Sequence, residues 1–150
     1  MCNAYKQSGF SLIELMVVVA VIAILSGIAF PAFGLMSAGN DLNTTQDNII
    51  ETLKKARSMA VSHSTFATVT INSVAHTVQF GLADGSQPIE TIRVRQNLSI
   101  GADATLVFGA NGTLTAQVGT TTITLSSPRY SNLPLRRIDI SATGVVTAVR

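Results

Sequence analysis

The N-terminal segment places a carboxylate and a possible new amine close together. Glu14 begins a long uncharged stretch, since no charged residue occurs between Glu14 and Asp41. An ionisable residue inside an apolar helix needs a partner to offset its lost hydration. If the peptide bond between Gly9 and Phe10 is cut, Phe10 gains a free α-amine four residues before Glu14, on the same helical face. Cleavage would thus supply a positive charge for Glu14, in the same chain or in a neighbouring subunit.

Sequence patterns that support catalysis are missing. The sequence has no G-x-S-x-G, H-E-x-x-H, P-loop or C-x-x-C pattern. Its two histidines, His63 and His76, have no carboxylate at a spacing typical of metal ligands. The single cysteine, Cys2, precedes the proposed cut, so the cut chain would have no thiol. We therefore expect a protein that is not an enzyme and that has no cofactor and no metal site.

The C-terminal region is basic. Arg129, Arg136, Arg137 and Arg150 outnumber the neighbouring Asp139, and such a cluster could bind phosphates. Strand alternation, however, would direct Arg136 and Arg137 to opposite faces of a strand. The sequence therefore leaves two interpretations open: a DNA-binding patch, or a pair of arginines of which only one joins a surface patch while the other pairs with a carboxylate.

The elements that must position these groups begin with an apolar helix. Residues 15–38 carry no charge, and about 20 such helical residues cross the bilayer core. We interpret residues 10–40 as a transmembrane half of the helix. An ordinary secretory signal cut near Ala38 is the alternative, but the apolar run is longer than such signals, and Glu14 lies near its start.

The chain changes character twice after this segment. Residues 41–63 predict an amphipathic half of the helix, because apolar residues recur at helical spacing: Leu42, Ile49, Leu53, Ala56 and Ala60. Residues 64–150 are rich in β-branched residues and alternate in polarity, and the dipeptides Asp84-Gly85 and Asn111-Gly112 favour turns. Strands are predicted at 65–71, 77–82, 91–95, 105–108, 113–118, 121–125, 135–140 and 145–149.

These patterns predict an α+β fold. A long hydrophobic N-terminal helix would pack its C-terminal half on a C-terminal antiparallel β head of two layers. The domain organisation would be a leader at 1–9, the two halves of the helix at 10–40 and 41–63, and the head at 64–150.

The N-terminal residues resemble a known processing signal. Gly9, Phe10 and Glu14 match the glycine, aromatic residue and fifth-position glutamate of the class III signal in type IV pilins and type II secretion pseudopilins. The resemblance implies that a prepilin peptidase cuts after Gly9 and methylates the amine of Phe10. Pro31 resembles the proline inside the pilin helix, where it would kink or loosen the helix, although an incidental proline fits equally well.

The head resembles a narrower group within this family. Residues 53–71, together with LVFGANGTL and RRIDISATGVV, look like the GspH/FimT-type minor pilins and H-type pseudopilins. Arg57 matches the arginine near the helix end, and Gly112 and Gly144 match turn glycines, which we expect to be structural positions. Where many FimT-like members carry Gly-Arg, this chain has Gly144-Val145, and so lacks a residue associated with DNA contact.

The resemblance implies a structural role in a filament. We expect a minor pilin or pseudopilin near the tip of a type IV pilus or type II secretion pseudopilus, where it would prime assembly in pilus biogenesis or protein secretion. Its partners would be other pilins or pseudopilins, the prepilin peptidase, and inner-membrane lipid before assembly, with a single membrane pass and a periplasmic head. Two alternatives remain: DNA uptake in natural transformation, with Arg136, Arg137 and Arg150 on DNA, and a secreted β-domain cut near Ala38.

Overall fold

A computed structural model describes residues 10–83 and 88–149, and only the backbone of residues 28–32. The predicted leader 1–9 with Gly9, the Asp84-Gly85 turn and Arg150 therefore lie outside the described residues. The described elements are α1 (Leu12–Ser62), β1 (Ala67–Asn72), β2 (Thr77–Leu82), β3 (Glu90–Arg93), β4 (Ser99–Ile100), β5 (Ala104–Phe108), β6 (Leu114–Gly119), β7 (Thr122–Ser126), β8 (Arg136–Ile140) and β9 (Val146–Val149).

Helix α1 has local signals at both of its ends. The carbonyl of Ser11 accepts hydrogen bonds from the backbone N–H groups of Glu14 and Leu15, at 3.0 and 3.2 Å, and serine is a preferred N-cap residue. Past Ser62, Ser64 adopts a positive φ of 50°, a conformation common just after a helix. The N–H of Thr65 then donates to the carbonyl of Ala60 at 3.0 Å and closes the last turn.

The chain divides into two compact units, Met1–Met36 and Ser37–Arg150, and the boundary falls within α1. We call the second the head unit. In the first unit, the described side chains of residues 12–25 are exposed. Among the described residues, the structure contains no helix that is long and apolar enough to span a membrane. The transmembrane half at 10–40 stays a prediction, as does the rest of the predicted domain organisation.

The head unit contains two antiparallel sheets. One has the strand order β3-β2-β1-β5-β6, and the other has the order β4-β7-β8-β9. The predicted α+β fold, with a helix packed on an antiparallel β head, is confirmed. All eight predicted strands are present to within about two residues. The strand that sequence missed, β4, has only two residues, too few for alternation to be visible.

The core of the head unit forms where the apolar stripe of α1 meets both sheets. All five predicted stripe residues are buried. They belong to one cluster with residues from both sheets, among them Val69, Leu106, Phe108, Ile123 and Ile138. The helix therefore closes the core that the two sheets share.

We predict that Leu53→Ala destabilises the head unit by about 2 to 5 kcal/mol, because Leu53 is completely buried and its loss leaves a cavity. Urea denaturation of a protein spanning residues 37–150 measures this. Val74→Ala is the control, since that side chain is 86% exposed and its removal is expected to change stability by less than about 0.5 kcal/mol. Equal stability of the two variants would contradict the described packing of α1.

Candidate assembly site

The candidate site begins at the N-terminal end of α1. Glu14 lies in the first turn of the helix, where a carboxylate is favoured by about 0.3 to 1 kcal/mol, because the free N–H groups there carry partial positive charge. Phe10 precedes the helix by two residues and is 82% exposed. The first backbone hydrogen bonds of α1 are accepted by the carbonyl of Ser11, so Phe10 lies just before the helix, and the shared helical face of Phe10 and Glu14 stays a prediction for the cut chain.

An exposed apolar surface follows Glu14 along the helix. Large apolar side chains point outward in successive turns, so no single face of this segment is polar. The exposed residues are Leu12, Ile13, Leu15, Met16, Val17, Val18, Val19, Val21, Ile22, Ile24 and Leu25. Pro31 lies within the assigned helix, but its side chain is not among those described. A surface of this kind has no catalytic groups and is suited to packing against lipid or other apolar helices.

Polar contacts tie the following part of α1 to the head. Asp41 forms a 3.0 Å ion pair with Arg95, and its carboxylate accepts a hydrogen bond from the side-chain amide of Asn97 at 3.1 Å. Two residues further on, the side-chain oxygen of Asn43 accepts a hydrogen bond from Nε of Arg136 at 2.9 Å. These contacts connect the helix to a loop beside one sheet and to a strand of the other.

Gln46 makes the most buried of these contacts. Its side chain is completely buried, and Nε2 donates to the carbonyls of Arg137 and Val149 at 3.0 and 3.5 Å. Sequence analysis missed this residue. A signal was nevertheless present in the sequence. Gln46 lies four residues after Leu42 and three residues before Ile49, so helical spacing places this polar side chain on the apolar stripe.

Arg57 joins α1 to one turn from each sheet. Its Nε donates to the carbonyl of Gly112 at 2.8 Å, and Nη2 donates to that of Thr143 at 3.5 Å. Gly112 and Gly144 have φ values of 75° and 74°, which favour glycine, and a Cβ at Gly144 would overlap the Gly112 carbonyl oxygen. The contacts of all three residues fit the structural roles expected from the resemblance.

Among the described residues of the basic C-terminal region, Arg136 and Arg137 do not form a common patch. Arg136 shares the inner face of β8 with Ile138 and is held by Asn43, whereas Arg137 lies on the other face in a 3.2 Å ion pair with Asp139. Strand alternation thus separates the two arginines, as one of the two interpretations predicted. Arg150, the third predicted contact, lies outside the described residues.

Comparisons with known proteins agree with the N-terminal signal and with the fold. The family described as the prokaryotic N-terminal methylation motif matches residues 5–30. The fimbrial protein EcpB of Eikenella corrodens is 33% identical over 107 residues, which are 71% of this chain and 60% of that protein. The chain thus spans less than two thirds of this relative's length.

Solved structures show the same fold at low identity. The type IV minor pilin FimU of Pseudomonas aeruginosa superposes with a TM-score of 0.59 at 23% identity, over 74% of this chain and 90% of that one. The minor pseudopilin EpsH of Vibrio cholerae gives a TM-score of 0.57 at 11% identity, over 73% and 96%. Together with the methylation motif, these matches confirm the predicted resemblance to the pilin-like proteins.

We predict that Arg57→Met destabilises the head unit by about 1 to 3 kcal/mol, because the carbonyls of Gly112 and Thr143 lose charged donors. Lys54→Met is the matched control, since Lys54 is exposed one turn earlier on the same helix. Thermal unfolding of both variants tests this. A melting temperature for Arg57→Met equal to that of the control would show that the two turns do not depend on this arginine.

Proposed function

We propose that this chain, which is type IV pilin-like in its N-terminal motif and in its fold, is a minor subunit of a type IV pilus. A prepilin peptidase cuts it between Gly9 and Phe10 and methylates the new amine. Inner-membrane lipid covers the apolar part of α1 until the subunit joins the filament, where the helices of other pilins replace it. The head then lies on the outside of the filament, near the tip, and contributes to priming of assembly.

The observation that carries the proposal is the exposed apolar surface at residues 12–25, next to Glu14. Burying apolar surface is worth roughly 25 cal/mol per Å², so several exposed large side chains provide a strong drive to associate. Removal from water also penalises an unpaired carboxylate, which gives the same surface a requirement for one positive partner.

The position of Phe10 favours a partner in another subunit. A cationic amine at Phe10 would lie at the positive end of its own helix, where the dipole disfavours a cation and favours the Glu14 carboxylate. Pairing the amine of one subunit with Glu14 of the next keeps Glu14 at a favourable site and brings the amine to a second negative charge. The pair also fixes the axial position of one helix against another.

Identity favours a pilus over a secretion pseudopilus. The curated relative is a fimbrial protein at 33% identity. Loss of pili with normal protein secretion in a deletion strain would support this choice, and the opposite phenotype would assign the subunit to a type II secretion pseudopilus. The DNA-binding alternative is not proposed, because Arg136 and Arg137 are held apart within the head.

We predict that the mature chain begins at Phe10 and carries one N-terminal methyl group. Mass spectrometry of protein purified from the membrane fraction tests this directly. Gly9→Leu is the control, since a bulky residue in place of the matched glycine should leave the uncut chain. A mature N-terminus near residue 39 would instead support the secreted β-domain and would overturn the proposal.

We predict that Glu14→Ala leaves the amount of subunit in the membrane unchanged or increased, because it removes a charge from the apolar segment. Its incorporation into sheared pili should fall by about tenfold or more, which corresponds to only about 1.4 kcal/mol of lost pairing. Immunoblots of membrane and sheared fractions measure both quantities, and Glu14→Asp should retain part of the function.

Glu51→Ala is the matched control for this experiment. It also removes a carboxylate from α1, but Glu51 forms an exposed ion pair with Lys55 at 3.1 Å, a type of contact worth little to stability. We expect this variant to enter pili normally. Normal incorporation of Glu14→Ala would refute charge pairing as the assembly signal.

A further inference from the structure

Two loops of the head unit lie together at the end where α1 enters it. Residues 94–98 connect β3 to β4, and residues 127–135 connect β7 to β8. Since β4 pairs with the last two residues of β7, the two loops are neighbours. We call these two loops together the entry surface.

Contacts with α1 fix the position of both loops. The ion pair of Arg95 with Asp41 holds the first loop. In the second loop, the side chain of Leu133 lies beside Gly39, where an added Cβ would be 3.9 Å from it. Gly39 is only three residues past Met36, so at most about 11 Å of extended chain separates it from the first compact unit.

The entry surface and its border carry a net positive charge. Arg129 is exposed, and its Cζ lies 5.6 Å from the centre of the Tyr130 ring. Arg136 directly follows the second loop and is held by a neutral side chain of α1. Asp41 neutralises Arg95, whereas Arg129 and Arg136 have no carboxylate partner within the part of the chain that the structure describes.

Apolar and aromatic side chains accompany these charges. Leu135 is 61% exposed, and Pro134 beside it is exposed as well. The N–H of Tyr130 donates to the carbonyl of Ser127 at 3.2 Å, and that of Leu133 to the carbonyl of Tyr130 at 3.1 Å, so the loop is folded into two successive turns. Arginine, tyrosine and leucine side chains presented together are typical of proteins at a membrane–water interface.

We propose that the entry surface binds the headgroups of an anionic phospholipid bilayer. This rests on the proposed function, in which lipid covers the apolar part of α1 before assembly. The short chain between Met36 and Gly39 then keeps the entry surface within reach of the headgroup layer. Arg129 meets the negative phosphates there, and Leu135 enters the boundary between headgroups and acyl chains.

Continuity along the chain favours lipid over another protein as the occupant. Exposed apolar side chains continue to Met36, which is 68% exposed, so the lipid that covers them is already beside Gly39. Tethering of this kind gives a high effective concentration, and weak contacts are then enough to hold the head on the bilayer. The same weakness lets the head leave the bilayer when the subunit joins a filament.

Cosedimentation of a protein spanning residues 37–150 with lipid vesicles tests the proposal. This unit contains the whole of the described core, so it has the packing needed to fold alone. Binding to vesicles of equal parts phosphatidylglycerol and phosphatidylcholine should be about tenfold or more stronger than binding to phosphatidylcholine alone at low salt. High salt should remove this difference, because it screens exposed charges.

Two variants test the side chains that carry the proposal. Arg129→Gln should weaken binding to the anionic vesicles by about fivefold, the usual contribution of one arginine near such a surface. Leu135→Gln should weaken binding at low and at high salt alike, because its contribution is apolar. Lys54→Gln is the matched control: it removes the same charge from an exposed site about 20 Å further along α1 than Asp41, and it should bind like the unaltered protein.

Tryptophan fluorescence gives a second measurement. The sequence contains no tryptophan, so a single introduced one reports its own surroundings. The emission of Leu135→Trp should shift to shorter wavelength when anionic vesicles are added. That of Ser58→Trp, an exposed position near the other end of α1, should not shift.

Three results would overturn the proposal: no binding to anionic vesicles at low salt, binding that Arg129→Gln leaves unchanged, or equal weakening by Lys54→Gln, which would indicate attraction to net charge alone. Binding of another pilin subunit through Leu135, without vesicle binding, would also contradict it and would make the entry surface a protein interface. The mature N-terminus and the incorporation of Glu14→Ala into pili are separate measurements, so a failure of vesicle binding is distinguishable from a failure of the proposed function.

Discussion

Burial of one stripe of α1 against two sheets is the interaction on which the head depends. Neither sheet encloses a core alone, and Leu53, Ala56 and Ala60 lie in the same cluster as residues from both. The two alanines are small, which permits close approach of the helix backbone to the strands. Because apolar burial has no directional preference, it brings the elements together without defining which residues must lie opposite each other.

Polar contacts determine which residues of α1 lie opposite which parts of the two sheets. Asp41, Asn43, Gln46 and Arg57 lie along the head-facing part of α1. Asp41 bonds to the loop after β3, Asn43 and Gln46 bond to β8, and Arg57 bonds to the turn before β6. Gln46 and Arg57 bond to backbone carbonyls, so these contacts recognise the position of the chain and not the identity of a side chain. These four polar side chains thus fix the register of the helix on the sheets.

The sequence was sufficient to predict the elements that have a regular pattern of residues. The stripe of α1 follows from helical periodicity, and eight strands follow from alternation, β-branched residues and turn dipeptides. Gly9, Phe10 and Glu14 identified a processing signal because their types and spacing are unusual together. Contacts between distant residues could not be read in this way. Nothing near Arg136 in the sequence points to Asn43, and the order of strands that leaves β6 at an edge is a property of topology.

The contacts of Gln46 and Arg57 also determine how the head responds to mechanical tension. They lie about three helical turns apart on α1 and attach to carbonyls in different turns and strands. A force that pulls the helix away from the sheets would have to break attachments at both positions. A helix attached at two separated points therefore resists extraction from its own head more than a helix attached at one.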